Sequence, residues 1–313
     1  MHTPVNKKII CLMGPTASGK TAIACELVKR FPLEIISVDS AMIYQGMDIG
    51  TAKPDLDTLS YAPHHLIDIC KPDEVYSVAA FCEDTTRLCD TIFERGHVPL
   101  LVGGTMMYFR ALQTGLSLLP QADLSVRASL GIDASRFGWP HMHALLVDVD
   151  REAALRIHPH DAQRIMRALE VYRITQKPLS AHIAEQKQGI PYPTLNLSLF
   201  PLRRAWLHDR IALRFDDMLA QGFLQEVEGL IQLYSSIDTL PSMRTVGYRQ
   251  ALDYFHGLVD HSSFRERSVA ATRQLAKRQL TWLRSWTDSV MIDPEQADAT
   301  DIITNKISCF LTT

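Results

Sequence analysis

Eight consecutive residues near the start of the chain have the types and spacing of a phosphate-binding loop. They are Gly14, Pro15, Thr16, Ala17, Ser18, Gly19, Lys20 and Thr21, and they match the pattern Gly-x-x-x-x-Gly-Lys-Ser/Thr in full. Glycines let the backbone wrap closely around phosphate oxygens, with amide N–H groups pointing inward. Lys20 supplies a cation for the terminal phosphate, and the Thr21 hydroxyl can coordinate Mg²⁺. The octapeptide therefore predicts a phosphate site with magnesium as cofactor and Thr21 as its protein ligand.

A carboxylate follows the next apolar run of the chain. Residues 35–38 predict a buried strand that ends at Asp39, and ligands of parallel sheets bind at the carboxyl ends of strands. Asp39 could hold magnesium or accept a proton from a nucleophile. A helix-capping role before Ser40 is the alternative. Asp148 also follows an apolar run, but it falls in a segment that we interpret below as an insertion.

Two further groups could bind an anion. Residues 103–105, Gly-Gly-Thr, follow a third predicted strand, where glycines permit close approach of a ligand; a tight turn explains them equally well. Arg210 and Arg214 lie one helical turn apart and could point their guanidinium groups at a diphosphate. Packing against Asp217 or Glu226 is the alternative for this pair.

A basic helix is predicted from Phe264 to Trp286. Against the single acid Glu266 it carries Arg265, Arg267, Arg273, Lys277, Arg278 and Arg284. Arg273 and Lys277 are expected to share a face, because they are four residues apart. Such a stripe could lie along a nucleic-acid backbone. The alternative is a solvated helix face on which Trp282 and Trp286 have a structural role.

Strands that alternate with helices predict an α/β fold, a P-loop NTPase-like parallel sheet flanked by helices. Strands are expected at 9–13, 35–38 and 98–102, with helices at 21–30 and 78–95 between them. Residues 116–200 are interrupted by prolines and are interpreted as a mostly helical insertion domain. Residues 1–115 and 201–313 then form the catalytic core, with further helices expected at 161–175, 209–221, 224–233 and 248–255.

The composition is that of a globular protein. Of 313 residues, 46% are hydrophobic and 21% are charged, which excludes disordered and fibrous classes. The net charge of −3 excludes a wholly basic nucleic-acid binder but not a local basic face. The six cysteines form no Cys-x-x-Cys pair, so reduced thiols are expected. No apolar run reaches the length of a membrane span, and a cytoplasmic monomer without a membrane partner is expected.

Six stretches in order along the chain carry a family resemblance. They are residues 14–21 (GPTASGKT), 37–54 (SVDSAMIYQGMDIGTAKP), 102–108 (VGGTMMY), 156–164 (RIHPHDAQR), 244–250 (RTVGYRQ) and 271–279 (ATRQLAKRQ). Together they resemble the bacterial tRNA dimethylallyltransferases, and they span nearly the whole chain. The long second stretch is far more specific than the phosphate-binding loop. The zinc-finger tail of eukaryotic relatives is absent from the sequence, so the resemblance implies no zinc.

The resemblance implies an activity and a set of roles. The family moves a dimethylallyl group from dimethylallyl diphosphate to the exocyclic amine of the adenosine just 3′ of a tRNA anticodon. Thr16 to Thr21, with Lys20, would hold the diphosphate, and Arg214 would stabilise it. Asp39 would be the general base or the hydrogen-bond acceptor for the attacking amine. The positions that would contact the tRNA anticodon stem-loop are Asp39, Ser40, Ala41, Met42, Thr105, Arg127, Gln163, Arg164, Ile165, Met166, Arg167, Arg244, Thr245, Val246, Gly247, Tyr248 and Arg249. The resemblance also favours the basic helix, with Lys277, as an RNA surface.

Two other functions remain open at this point. A small-molecule or nucleoside kinase with ATP as donor explains the phosphate-binding loop and Asp39, but not residues 103–105 or 244–249. A non-catalytic RNA-binding NTPase would need further NTPase signatures, and the sequence contains none.

Overall fold

The computed structural model describes residues 7–117, 119–185 and 188–313. The chain divides into two compact units, one formed by residues 7–109 with 192–313 and the other by residues 110–191. The first unit contains the described strands and the phosphate-binding loop, and the second is helical.

The first unit is built on a parallel six-stranded sheet with the strand order β3-β2-β4-β1-β5-β6. The strands are β1 (Ile9–Met13), β2 (Leu33–Val38), β3 (His64–His65), β4 (Val98–Gly103), β5 (Thr194–Leu199) and β6 (Ser289–Ile292). Gly103 is in register with both Met13 and Val38. The loops that follow β1, β2 and β4 therefore leave the sheet at one edge, and the predicted α/β class is confirmed.

Helices connect and cover the strands. They are α1 (Lys20–Arg30), α2 (Leu56–Tyr61), α3 (Val78–Glu94), α4 (Met106–Thr114), α5 (Leu124–Phe137), α6 (Trp139–Val149), α7 (Arg151–Arg156), α8 (Ala162–Thr175), α9 (Leu179–Ala184), α10 (Arg204–Ala220), α11 (Phe223–Leu233), α12 (Tyr248–Phe255), α13 (His261–Arg284) and α14 (Ala299–Thr312). Each helix expected from the sequence is present, with its ends shifted by a few residues.

The core of the first unit lies between the sheet and its covering helices. Strand residues such as Ile10, Ile35 and Leu100 are fully buried, because parallel strands that are covered on both faces are apolar along their whole length. Leu27 of α1 and Ile303 of α14 pack into the same cluster. This packing holds in place the end of the sheet from which the loops after β1, β2 and β4 leave.

The second unit has a core of its own. Leu130, Met142, Leu146, Ile165 and Leu169 pack together from helices α5, α6 and α8. The expected insertion at 116–200 was wrong at its far end, because residues 194–199 form β5, which pairs with β1 in the first unit. Asp148 lies within α6, not at a strand end.

None of the helices in the described ranges is both long and apolar enough to cross a membrane. None of the six cysteines, all of which the structure describes, is in a disulfide; four are buried, Cys82 is half-buried and Cys309 is exposed.

Candidate active site

The loop between β1 and α1 has the backbone of an anion-binding nest. Ala17 (φ 62°) and Gly19 (φ 92°) are left-handed, and this alternation turns amide groups toward a common centre. The Pro15 carbonyl accepts hydrogen bonds from the Ser18 amide (3.3 Å), the Ser18 hydroxyl (2.8 Å) and the Lys20 ammonium (2.7 Å). Helix α1 starts at Lys20, so its positive end faces the loop.

Two arginines of α10 contact this loop. Arg210 Nε donates to the Ala17 carbonyl at 2.8 Å. Arg214 Nη1 donates to the Thr16 hydroxyl at 3.1 Å, and its Nη2 lies 3.5 Å from the Thr51 carbonyl. The alternative for this pair, packing against Asp217 or Glu226, is not what the structure contains. Both guanidinium groups therefore lie against the phosphate-binding loop.

The cations of the site are held in an environment that disfavours their charge. Burial, and then the neighbouring Arg214, lower the pKa of Lys20 to about 7, although Asp39 opposes the shift. The pKa of Arg214 is also lowered, mainly by burial and to a lesser degree by Arg210, again against Asp39. A polyanion placed between these groups would offset the repulsion between the cations and raise the pKa of each again.

Asp39 lies at the end of β2 with one carboxylate oxygen in use. Its Oδ1 accepts from the amides of Ala41 (2.8 Å) and Met42 (3.4 Å), so the carboxylate caps a turn and no helix starts here. Within the described ranges Oδ2 has no hydrogen-bond donor. Thr105 braces the same turn, because its hydroxyl accepts from the Ser40 amide at 3.1 Å. One oxygen thus holds the turn, and the other is left for a ligand.

The loop after β4 reaches this turn by close backbone approach. A Cβ added to Gly103 would lie 2.0 Å from the Val38 carbonyl oxygen, so only glycine fits there. The Thr105 amide donates to the same carbonyl at 3.2 Å. The chain bends at Gly104, and the close packing of this loop on Val38 places Thr105 beside Ser40.

A cavity of about 370 Å³ connects these groups. Its lining contains residues predicted to bind the diphosphate, the predicted base Asp39, and part of the segments predicted to contact RNA. The lining includes Thr16, Ala17, Gly19, Lys20, Thr21, Arg210 and Arg214, then Asp39, Ala41, Met42, Thr245, Val246 and Gly247. Apolar walls come from Ile211, Phe215, Met218, Phe223 and Leu275. The cavity can hold an anion at one end and a short hydrocarbon chain against its walls.

Two side chains that hold the site together were missed in the sequence. Gln279 of α13 bridges the loops after β1 and β4 (Thr16 N–H and Gly104 C=O, each at 2.9 Å). The helical periodicity could have revealed Gln279, because it shares a face of α13 with Ala276, Leu280 and Leu283, which are buried. A buried amide requires hydrogen-bond partners.

Glu226 of α11 is the second. Its carboxylate accepts the backbone amides of Asp48 (2.7 Å), Ile49 (2.7 Å) and Gly50 (3.1 Å). This loop leads into Thr51, whose carbonyl faces Arg214. No local pattern at Glu226 predicts this contact, because its partners lie more than 170 residues away in the chain.

The predicted RNA-contacting residues of the first unit divide by exposure. Arg244, Arg249 and Arg278 line a second pocket of about 290 Å³ together with Gln250 and Gln274, and no acid is among its described lining residues. Tyr248 is fully buried, and its hydroxyl donates to Glu226 at 2.5 Å. The prediction of a tRNA contact is therefore wrong for the Tyr248 side chain. Gly247 is buried as well, but it reaches the main cavity.

The predicted RNA-contacting residues of the second unit also include both exposed and buried side chains. Gln163 and Arg164 are exposed at the start of α8, whereas Ile165 is fully buried in the core of that unit. A contact between the Ile165 side chain and tRNA is excluded on this ground. Met166 packs partly against the same core.

Arg127 and Arg167 are both bound to a buried acid. Glu170 is fully buried and accepts Nε and Nη2 of Arg127 at 2.8 and 3.1 Å. Arg167 donates to the same carboxylate at 2.6 Å and to the Pro120 carbonyl at 2.7 Å. These contacts orient both guanidinium groups, and they lower the pKa of Glu170 against the effect of its burial.

The basic helix α13 is less uniform than expected. Arg265 forms a two-bonded pair with Asp216 of α10 at 2.6 and 2.7 Å. Arg273 is half-buried, with Nη2 3.5 Å from the His208 carbonyl, whereas Lys277 and Arg278 are exposed. Arg273 and Lys277 lie one turn apart on α13 as predicted, but only Lys277 is exposed, because Arg273 turns toward α10.

Comparison with known proteins identifies the family of this chain. The profile of the IPP transferase family matches residues 42–286. A tRNA dimethylallyltransferase of Legionella pneumophila (strain Lens) is 55% identical over 300 residues, which is 96% of each chain. One from Thiobacillus denitrificans is 56% identical over 284 residues, 91% of each chain.

Solved structures are similar as well. The tRNA isopentenylpyrophosphate transferase of Bacillus halodurans has a TM-score of 0.72 at 35% identity, and the match covers 98% of this chain and 97% of that one. A eukaryotic dimethylallyltransferase acting on tRNA has a TM-score of 0.79 at 28% identity, with 96% of this chain and 77% of that one covered. With its phosphate-binding loop, its carboxylate and its cavity in place, this chain belongs to the IPP transferase family, the family of the tRNA dimethylallyltransferases.

Proposed function

We propose that this protein transfers the dimethylallyl group of dimethylallyl diphosphate to the exocyclic amine, N6, of the adenosine just 3′ of the anticodon in tRNA. The observation that carries the proposal is one cavity in which Lys20 and Arg214 face the phosphate-binding loop and Asp39 lies at the adjoining strand end. The product diphosphate leaves from the loop. The cavity's apolar walls suit the five-carbon chain.

The bond changes follow from this arrangement. The N6 atom attacks C1 of the donor, the C1–O bond breaks, and its electrons leave with the diphosphate. The amine of an aromatic base is a weak nucleophile, so the positive field around the departing diphosphate must supply much of the stabilisation. The N6 proton passes to Oδ2 of Asp39, the oxygen that the turn does not use.

Magnesium fits the site as a substrate-borne ion. Thr21 offers a hydroxyl in the cavity, and no group of three or more His, Cys, Asp or Glu side chains suited to a metal occurs in the described ranges. Mg²⁺ is commonly held by one or two protein ligands plus phosphate oxygens. Bound in this way, it would neutralise charge on the leaving diphosphate.

The acceptor must be RNA whose target base leaves its stack, because N6 has to reach the interior of the cavity. The arginine-lined pocket formed by Arg244, Arg249 and Arg278 suits a backbone phosphate. Exposed Lys277 and, in the second unit, exposed Arg164 are further RNA contacts in this proposal.

A transfer assay tests the proposal. The protein is incubated with dimethylallyl diphosphate labelled in the prenyl group, Mg²⁺ and an anticodon stem-loop with adenosine 3′ of the anticodon. Label is expected in this RNA and not in a matched stem-loop with inosine there, because inosine lacks the exocyclic amine. Equal labelling of both RNAs contradicts the assigned acceptor atom. Phosphate transfer from ATP to a small acceptor, with unlabelled RNA, supports the kinase alternative.

A further inference from the structure

Gln279 joins two loops, one on the side of the prenyl donor and one on the side of the RNA acceptor. It projects from α13 and is 8% exposed. Its Oε1 accepts the Thr16 amide and its Nε2 donates to the Gly104 carbonyl, both at 2.9 Å. Thr16 follows β1 and Gly104 follows β4, two strands that are neighbours in the sheet.

The fit around this amide leaves little freedom. A Cβ added to Gly104 would lie 2.4 Å from Gln279 Nε2 and 3.3 Å from the Gly14 carbonyl oxygen. The side chain therefore packs directly on the backbone of residue 104. Since an amide offers one acceptor and one donor atom at a fixed separation, it sets the spacing of the two loops.

Each loop leads to a reacting group. On the donor side, the Thr16 hydroxyl accepts from Arg214 at 3.1 Å. On the acceptor side, Thr105 follows Gly104 and accepts the Ser40 amide at 3.1 Å, next to Asp39. Two short chains of contacts thus run from Gln279, one to the diphosphate-binding cation and one to the turn that presents the base.

We propose that Gln279 is a positioning residue for prenyl transfer, one that fixes the loop holding the diphosphate relative to the turn holding Asp39. The inference rests on the proposed function and deepens it. Reaction within a bound complex depends steeply on the alignment of donor, acceptor and base, and a misplacement of about 1 Å can cost about 100-fold in rate. Binding of each substrate depends on its own loop and does not require the bridge.

Two substitutions test the bridge. Gln279→Met keeps the length of the side chain and removes both hydrogen bonds. Gln279→Glu can still accept the Thr16 amide but cannot donate to Gly104. Thr281→Ala, at an exposed position of the same helix, is the matched control. The measurements are kcat and KM for both substrates, the affinity for inorganic diphosphate, and Tm.

The expected result is a separation of kcat from binding. Both Gln279 variants should lose about 10- to 100-fold in kcat, with KM values and diphosphate affinity within about threefold of wild type and the control unchanged. A kcat within threefold of wild type overturns the inference. A loss of diphosphate affinity as large as the loss of kcat also overturns it, because Gln279 would then serve the donor loop alone.

Misfolding of a variant and failure of the proposed function can be told apart. If Gln279→Met does not fold, Gly104→Ala displaces the same amide from the other side, and the same criteria apply to it. If the wild-type protein labels no RNA, the proposed function fails, whatever the variants do. Wild-type labelling together with an unaffected Gln279→Met variant removes only the positioning role.

Discussion

The ammonium of Lys20 and the guanidinium of Arg214 line one cavity, and within the described ranges neither is paired directly with an anionic side chain. Burial lowers the pKa of both, and a neighbouring cation adds to each shift, Arg214 for Lys20 and Arg210 for Arg214. Asp39 acts in the opposite direction but is engaged in its own turn. The unbound site is thus short of negative charge, as a site for a diphosphate should be.

A pH dependence of donor binding follows from the Lys20 pKa of about 7. In the free protein the lysine is mostly neutral above pH 7, and a bound diphosphate raises its pKa because it stabilises the ammonium. Binding at pH 8 therefore takes up a proton, and the affinity for dimethylallyl diphosphate falls as pH rises from 7 to 9. Titration calorimetry at pH 8 in buffers of different ionisation enthalpy measures the uptake.

Lys20→Arg is the control for this effect. Arginine stays protonated throughout that range, so the variant should bind the donor without the extra proton. Equal proton uptake by the variant and the wild type would assign the uptake to another group.

Asp39→Asn tests the general base. Asparagine retains an oxygen for the amides of Ala41 and Met42, so the turn should persist, but it accepts no proton from N6. The transfer rate should fall by about 10²–10⁴-fold, while affinity for the anticodon stem-loop largely survives. Single-turnover kinetics and a binding isotherm measure the two effects, and a rate within threefold of wild type would remove Asp39 from catalysis.

At the scale of elements, α11 holds the loop that backs Arg214. Glu226→Gln would replace a carboxylate that accepts three backbone amides by a group with one accepting oxygen. We expect the free energy of unfolding to fall by about 1–3 kcal/mol. Urea denaturation measures it, with exposed Glu228→Gln on the same helix as control. Equal stability of the two variants would show that the loop does not depend on this clamp.

Helix α13 carries an exposed basic residue, Lys277, and a half-buried one, Arg273. Substitutions of the two should have different effects. Lys277→Ala should weaken stem-loop affinity and reduce the magnitude of its log–log salt slope by about 1, because one phosphate contact is lost. Arg273→Ala, at a half-buried position against α10, should lower Tm and leave the slope unchanged. Fluorescence anisotropy at several salt concentrations measures the slope. Identical slopes for Lys277→Ala and wild type would remove this surface from RNA binding.

At the scale of the whole molecule, the sequence predicted the elements that bear local patterns. The apolar runs before Gly14, Asp39 and Gly103 are β1, β2 and β4, and their register brings these three loops to one edge as expected. Arg214 reaches the phosphate-binding loop because α10 is amphipathic and its buried side faces the core.

What escaped prediction depends on contacts between distant parts of the chain. The predicted insertion ran to residue 200 and so included β5. Its residues 194–199 alternate apolar and polar side chains, unlike the continuously apolar central strands. Only its pairing with β1 shows that it belongs to the core. The periodicity of α13 indicates that Gln279 is buried, but it does not identify the loops that Gln279 and Glu226 contact, because these lie far away in the chain.

A crystal structure of the protein soaked with dimethylallyl diphosphate and Mg²⁺ would show where the donor binds. We expect the diphosphate within the loop of residues 14–21, in contact with Lys20 and Arg214, the cation beside the Thr21 hydroxyl, and the prenyl chain directed toward Asp39. A diphosphate bound elsewhere, with this loop empty, would contradict this expectation.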